Sequence, residues 1–169
     1  MMGIVRLAFG WVFLASCIDK YLHWERFSQA LGAYRLVPER LVMVACGVVV
    51  ALESAIGIAL LCGIANSQAA IAGAALLCAF ALGMAINLLR GRRNIDCGCA
   101  VGAAAQQLEW KLVVRNVASA SVLLLAARSA PSDLWPALFP AALGLSLTYL
   151  AVGGVWASNS LQRRQLRKV

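Results

Sequence analysis

The stretch Leu41–Ile64, LVMVACGVVVALESAIGIALLCGI, decides the fold. It runs for more than the roughly 20 apolar residues needed to cross about 30 Å of hydrocarbon, and Glu53 is its one charge. After the uncharged turn Ala65–Gln68 a second such run follows, Ala69–Leu89, AAIAGAALLCAFALGMAINLL. Two spans joined by so short a turn form an antiparallel helical hairpin in a membrane, because in lipid only a helix or a closed barrel satisfies every backbone polar group.

Working outward, a first span covers about 3–22, a fourth about 112–127 and a fifth about 138–157. The fourth is short and carries Arg115 and Asn116. The rest of the composition agrees. Of 169 residues 62% are hydrophobic and 13% charged, with a mean hydropathy of +0.81. So small a chain cannot hide that much apolar surface from water, which excludes a soluble domain. The sequence therefore predicts an all-α fold: one polytopic membrane helix bundle over 1–169, with a four-helix core and a fifth transmembrane helix.

The net charge of +8 then reads as an orientation signal rather than as a nucleic-acid footprint. With five spans, one face carries Lys20, Arg26, Arg35, Arg40, Arg90, Arg92, Arg93, Lys111, Arg163, Arg164, Arg167 and Lys168. The other carries only Arg6 and Arg128. The positive-inside rule puts the richer face, and the C-terminus, in the cytoplasm. Trp24, Trp110 and Trp156 lie near that face, where an aromatic belt is expected. A rival reading treats Met1–Cys17 as a lipoprotein signal, with Leu14-Ala15-Ser16-Cys17 as its processing site.

Cys97-Gly98-Cys99 is the sharpest chemical feature. Two cysteines around one glycine can close a disulfide if their Cα atoms come within about 7 Å, and Gly98 permits the bend. So small a ring is strained, and strained disulfides are the more oxidising, labile kind. Arg90, Arg92 and Arg93 lie just upstream, and cations favour the reactive thiolate. Two bland alternatives stay open: half of a metal site, or incidental loop cysteines. Cys17 and Cys46 lie toward the same face of the bundle, so Cys17 is a candidate second-stage thiol. Cys46, Cys62 and Cys78 read as small packing residues.

Glu53 lies midway along the second span. A carboxyl in hydrocarbon is expensive and marks a candidate site, for a quinone oxygen, a proton or a substrate; its bland alternative is a structural bond between helices. Asp19 and Lys20 read as an interfacial ion pair and His23 as a solvated residue. The sharper alternative makes His23, with Cys17, Cys97 and Cys99, a soft-metal site. Asn116 is expected to join helices through its amide.

The stretch Asn87–Cys99, NLLRGRRNIDCGC, resembles the signature of the MauE family, within the wider DoxX-like group, and Leu112–Asn116, LVVRN, extends it. Arg6, Gly10, Phe13, Ser16 and Asp19-Lys20 in the first span fit the same group, as do Glu53 and Gly57. The likeness covers roughly 3–127. It departs after the second cysteine, where Ala100-Val101-Gly102 replaces the usual aromatic and glycine. The resemblance implies a multi-pass protein of the bacterial inner membrane that works with a periplasmic thioredoxin-like partner in forming the disulfides of methylamine dehydrogenase. For some relatives it implies quinone reduction. Three functions remain to be separated: a thiol-disulfide oxidoreductase or electron relay built on Cys97 and Cys99, a carrier of soft metals or small thiols using the same cysteines, and a non-catalytic membrane anchor for a thioredoxin-like protein. The charge count and a periplasmic role for Cys97 and Cys99 pull in opposite directions.

Overall fold

The computed structural model describes residues 2–98 and 107–128. Its elements are α1 (Met2–Leu22), α2 (Trp24–Ala33), a single 3₁₀ turn at Glu39–Leu41, α3 (Val42–Cys62), α4 (Asn66–Leu89) and α5 (Trp110–Ala127). Among the described residues there is no strand, only an isolated antiparallel bridge between Asp96 and Gln107. The four expected spans within this range are α1, α3, α4 and α5. The fifth, 138–157, lies outside the described residues, as does the basic tail.

By length and composition three stretches suffice to cross a membrane: Glu39–Cys62, Asn66–Leu89 and Trp110–Ala127. α1 is as long as α3, but Arg6, Asp19 and Lys20 interrupt its apolar run. It is held by packing. Gly10 and Gly57 let α1 and α3 approach closely: a Cβ on Gly10 would sit 2.8 Å from Leu61 Cγ, and one on Gly57 3.0 Å from Leu14 and 3.1 Å from the Gly10 carbonyl. Such close approach by small residues is the usual way membrane helices associate, since lipid leaves no hydrophobic driving force between them.

All four long helices feed one core: Phe13 of α1, Ile56 and Leu60 of α3, Ala70 and Ala74 of α4, Ala120 and Leu123 of α5. The outer faces, with Val44, Val48, Ile58, Ile71, Leu82 and Val114 exposed, are as apolar as the core. That inside-and-outside hydrophobicity is what a bilayer-embedded bundle requires. At one end the buried Arg6 guanidinium donates to the Ala126 carbonyl, and the Ser67 hydroxyl donates to the Ala127 carbonyl at 2.8 Å. Both close off carbonyls that the end of α5 leaves without helical partners. Arg6 and Arg128 thus share an end, and the other described charges outside the helix interiors gather at the opposite one.

The segment Asp19–Arg40, read from the sequence as a polar connection, contains α2. Trp24, Phe27 and Leu31 recur at helical spacing and turn inward, with Phe27 packing on Val42 and Cys46 of α3. α2 lies over the end of the bundle from which the Cys97 loop emerges.

Candidate functional site

The site forms where α1, α2, α3 and α4 meet at the basic end. Ser16 and Lys20 are one turn apart on α1 and share a face. Glu53 faces them from α3. The Lys20 ammonium donates to Glu53 Oε1 at 2.9 Å and Oε2 at 3.0 Å, and also to the Ser16 hydroxyl. Ser16 in turn donates to Glu53 Oε1 at 3.3 Å. Both charged side chains are buried, 4% and 2% exposed. A charge this deep survives only when paired and fully hydrogen-bonded. The Phe27 and Phe80 rings flank the ammonium, their centroids 5.5 and 5.8 Å from Nζ, within range of a cation–π attraction.

This arrangement corrects the expected Asp19–Lys20 ion pair. Neighbouring positions on a helix point about 100° apart, so Lys20 turns into the bundle while Asp19 turns outward. Asp19 Oδ1 instead lies 3.3 Å from His23 Nδ1, one turn on, at a partly exposed position. Among the described residues no three His, Cys, Asp or Glu side chains come together in a way that could hold a metal ion.

The second half of the site is the loop that follows α4. Leu108 N–H donates to the Ile95 carbonyl at 3.1 Å beside the Asp96–Gln107 bridge, which pins the base of the loop. Arg26 of α2 donates through Nε and Nη2 to Asp96 Oδ2, both at 2.9 Å. Asp96 Oδ1 accepts from Gly98 N–H at 3.3 Å. Gly98 adopts φ +66°, where a side chain is disfavoured. A Cβ there would also lie 3.4 Å from Ala30 and 3.6 Å from the Phe27 ring of α2. Tyr34 O–H donates to the Cys97 carbonyl at 3.1 Å, and Arg92 to the Ala33 carbonyl at 3.3 Å. α2 and the loop are therefore latched together at three points.

Cys97 is buried in an apolar cluster with Tyr34, Met84, Leu88, Leu108 and Leu112. The arginines expected beside it turn elsewhere. Arg90 and Arg93 are exposed, and Arg92 serves the Ala33 carbonyl. The cation that shares a space with Cys97 is Lys20. A pocket of about 110 Å³ is walled by Lys20, Phe27, Tyr34, Phe80 and Cys97. Glu53 and Cys97 stand apart in the sequence; Lys20, paired to the one and lining the same pocket as the other, joins them. A mid-span Glu that must find a cation, with a Lys at the neighbouring helix end, was the available signal.

The other candidates fall as follows. Cys99 lies outside the described residues. Cys17 is half-buried on the α1–α3 seam, its Sγ 2.9 Å from Ser54 Oγ and 3.7 Å from the Val50 carbonyl, and it does not line the Cys97 pocket. Cys46 is packed, as expected, against Phe27 and Val42. Cys62 and Cys78, also expected to pack, are instead exposed, Cys62 at the end of α3 and Cys78 on α4. Asn116 is buried, and its amide nitrogen finds no hydrogen-bond partner among the described residues.

Comparison with known proteins gives one consistent result. The profile of the family described as Methylamine utilisation protein MauE matches residues 1–130. The Methylamine utilization protein MauE of Paracoccus denitrificans is 32% identical over 168 residues, covering 94% of this chain and 90% of that protein. Its counterpart in Methylorubrum extorquens is 38% identical over 155 residues, covering 88% and 81%. That of Paracoccus versutus is 38% identical over 121 residues, covering 72% and 65%. No solved structure matches the chain.

Proposed function

The chain belongs to the MauE family of membrane proteins, and from that premise we propose that it is a thiol-disulfide relay of methylamine utilisation, with Cys97 and Cys99 as its exchanging pair. The observation that carries the reading is the pocket in which Cys97 meets a buried, fully paired ammonium and three aromatic rings. A packing cysteine needs neither a left-handed glycine beside it nor a loop latched to α2 at three points.

The exchange balances as follows. Cys97 and Cys99 thiols together lose two protons and two electrons, and an S–S bond forms between them. A lipid-soluble quinone takes up both and becomes the quinol. The loop disulfide is then attacked by a thiolate of a thioredoxin-like partner. The mixed disulfide is resolved by the partner's second thiol, which leaves the partner oxidised and the loop reduced. Lys20 forms part of the pocket wall beside Cys97, its charge balanced by Glu53. Glu53 is assigned a positioning role: it holds Lys20 in the pocket wall rather than touching quinone itself. Cys17 bonds to Ser54 on the α1–α3 seam and is assigned no step. The membrane in this reading is the bacterial inner membrane.

The test is replacement of both thiols, Cys97→Ser with Cys99→Ser, in a strain that depends on the chain for growth on methylamine. Loss of growth with normal membrane abundance supports the relay. Undiminished growth refutes it and leaves an anchoring role.

A further inference from the structure

The pocket beside Cys97 has a mouth as well as walls. Among the lining residues Leu36 and Ala79 are exposed, and Leu31, Val49, Phe80 and Gly98 are partly so. At 1.5 Å of rise per residue, Val49 lies about 10 Å inward from the start of α3 and Ala79 about 15 Å inward from the end of α4. Both helices are long and apolar enough to span a membrane. Val49 and Ala79 therefore bring part of the exposed lining to membrane depth.

The lining also restricts what can enter. Among the described residues Lys20 is its one charged member. All three ammonium hydrogens are used, on Ser16 and the two Glu53 oxygens, and Glu53 cancels the charge. Nothing is left to attract or bind a phosphate or carboxylate. The remaining described wall is mostly apolar, and Phe27, Tyr34 and Phe80 offer the flat surfaces on which another ring packs well. At about 110 Å³ plus its open mouth, the space is of the order of an apolar cavity of about 150 Å³ that takes up benzene.

We propose that this pocket is a lateral-entry site for a neutral, flat, lipid-soluble ring, which passes between α3 and α4 and seats against Cys97. Where that ring is a quinone headgroup, its reduction by the loop thiols rests on the relay reading above; the binding of the ring does not.

The experiment uses the full chain in lipid nanodiscs and follows N-ethylmaleimide labelling of each cysteine by peptide mass spectrometry. Two probes are added separately: decylubiquinone, and the redox-inert 2-decylnaphthalene. Both are expected to slow labelling of Cys97 at least about fivefold, while leaving Cys62, exposed at the end of α3, unchanged. Ala79→Trp should abolish the protection and Ala79→Leu reduce it. Ala72→Trp, two turns away on the same exposed face, should preserve it. Failure of both probes to protect Cys97, or equal loss in the Ala72→Trp and Ala79→Trp chains, overturns the site. Protection by the naphthalene without oxidation of the thiols by the quinone keeps the site and removes the quinone-linked relay. Oxidation by the quinone without protection by the naphthalene does the reverse.

Discussion

Lys20 and Glu53 meet in the interior of the bundle at 2.9 and 3.0 Å, and the same lysine forms a wall of the pocket that holds Cys97. The pair is electrically silent as long as both members are present. Removing either one leaves a charge of known sign beside the thiol.

Opposite effects are therefore expected from the two halves of the pair. Glu53→Gln leaves the ammonium uncompensated and should speed maleimide labelling of Cys97 at fixed pH; Lys20→Met leaves the carboxylate and should slow it. With one uncompensated unit charge on the pocket wall, each change is expected to be on the order of tenfold. A purely structural role would move both rates in the same direction, through loosening of the pocket.

The stability of the same pair is separable from its chemistry. Each single variant should lose about 3–5 kcal/mol, because it strands a buried charge. Lys20→Met combined with Glu53→Gln should lose less than the sum of the singles, measured by denaturant titration in micelles. Additive losses would mean that the two side chains do not depend on each other.

The loop latch gives a further expectation. Gly98→Ala forces a side chain into a left-handed backbone and toward Ala30 and Phe27, at about 1–3 kcal/mol. The latch should open, and Cys97, now buried, should label faster. Asp96→Ala, which frees both Arg26 and Gly98 N–H, should do the same. Unchanged labelling in both variants would show that the loop is held by other means.

The α1–α3 contact is tested at Gly10. An added methyl at Gly10→Ala meets Leu61 at 2.8 Å, and overpacking of this kind typically costs about 1–3 kcal/mol. The thermal midpoint should fall. The coupling between Lys20 and Glu53 should weaken too, since the same seam carries both.

The hydrophobic runs made the three spanning helices α3, α4 and α5 legible in the sequence within a few residues, because such helices are apolar along nearly their whole length. α2 was not, since ten residues with three or four inward apolar side chains look like a polar loop beside runs of twenty. Cys97 and Glu53 stood out singly: a Cys-Gly-Cys loop and a mid-membrane carboxyl are each rare. What joins them was hidden, because Lys20 is separated from Glu53 by a tertiary contact and has Asp19 as its neighbour in the chain. Only the helix's angular period, carried across the α1–α3 seam, turns Lys20 inward to Glu53 and Asp19 outward to His23. The arginines of the third loop misled for the same reason: proximity in sequence placed them at the thiol, and the fold turns Arg92 to the Ala33 carbonyl instead.

The most direct test of the relay is the redox state of the Cys97–Cys99 pair in native membranes, trapped with acid and read by alkylation and peptide mass. A mixture of dithiol and disulfide is expected, shifting toward dithiol when quinone is depleted and toward disulfide when the thioredoxin-like partner is removed. Two thiols that stay fully reduced under every one of these conditions would contradict the account.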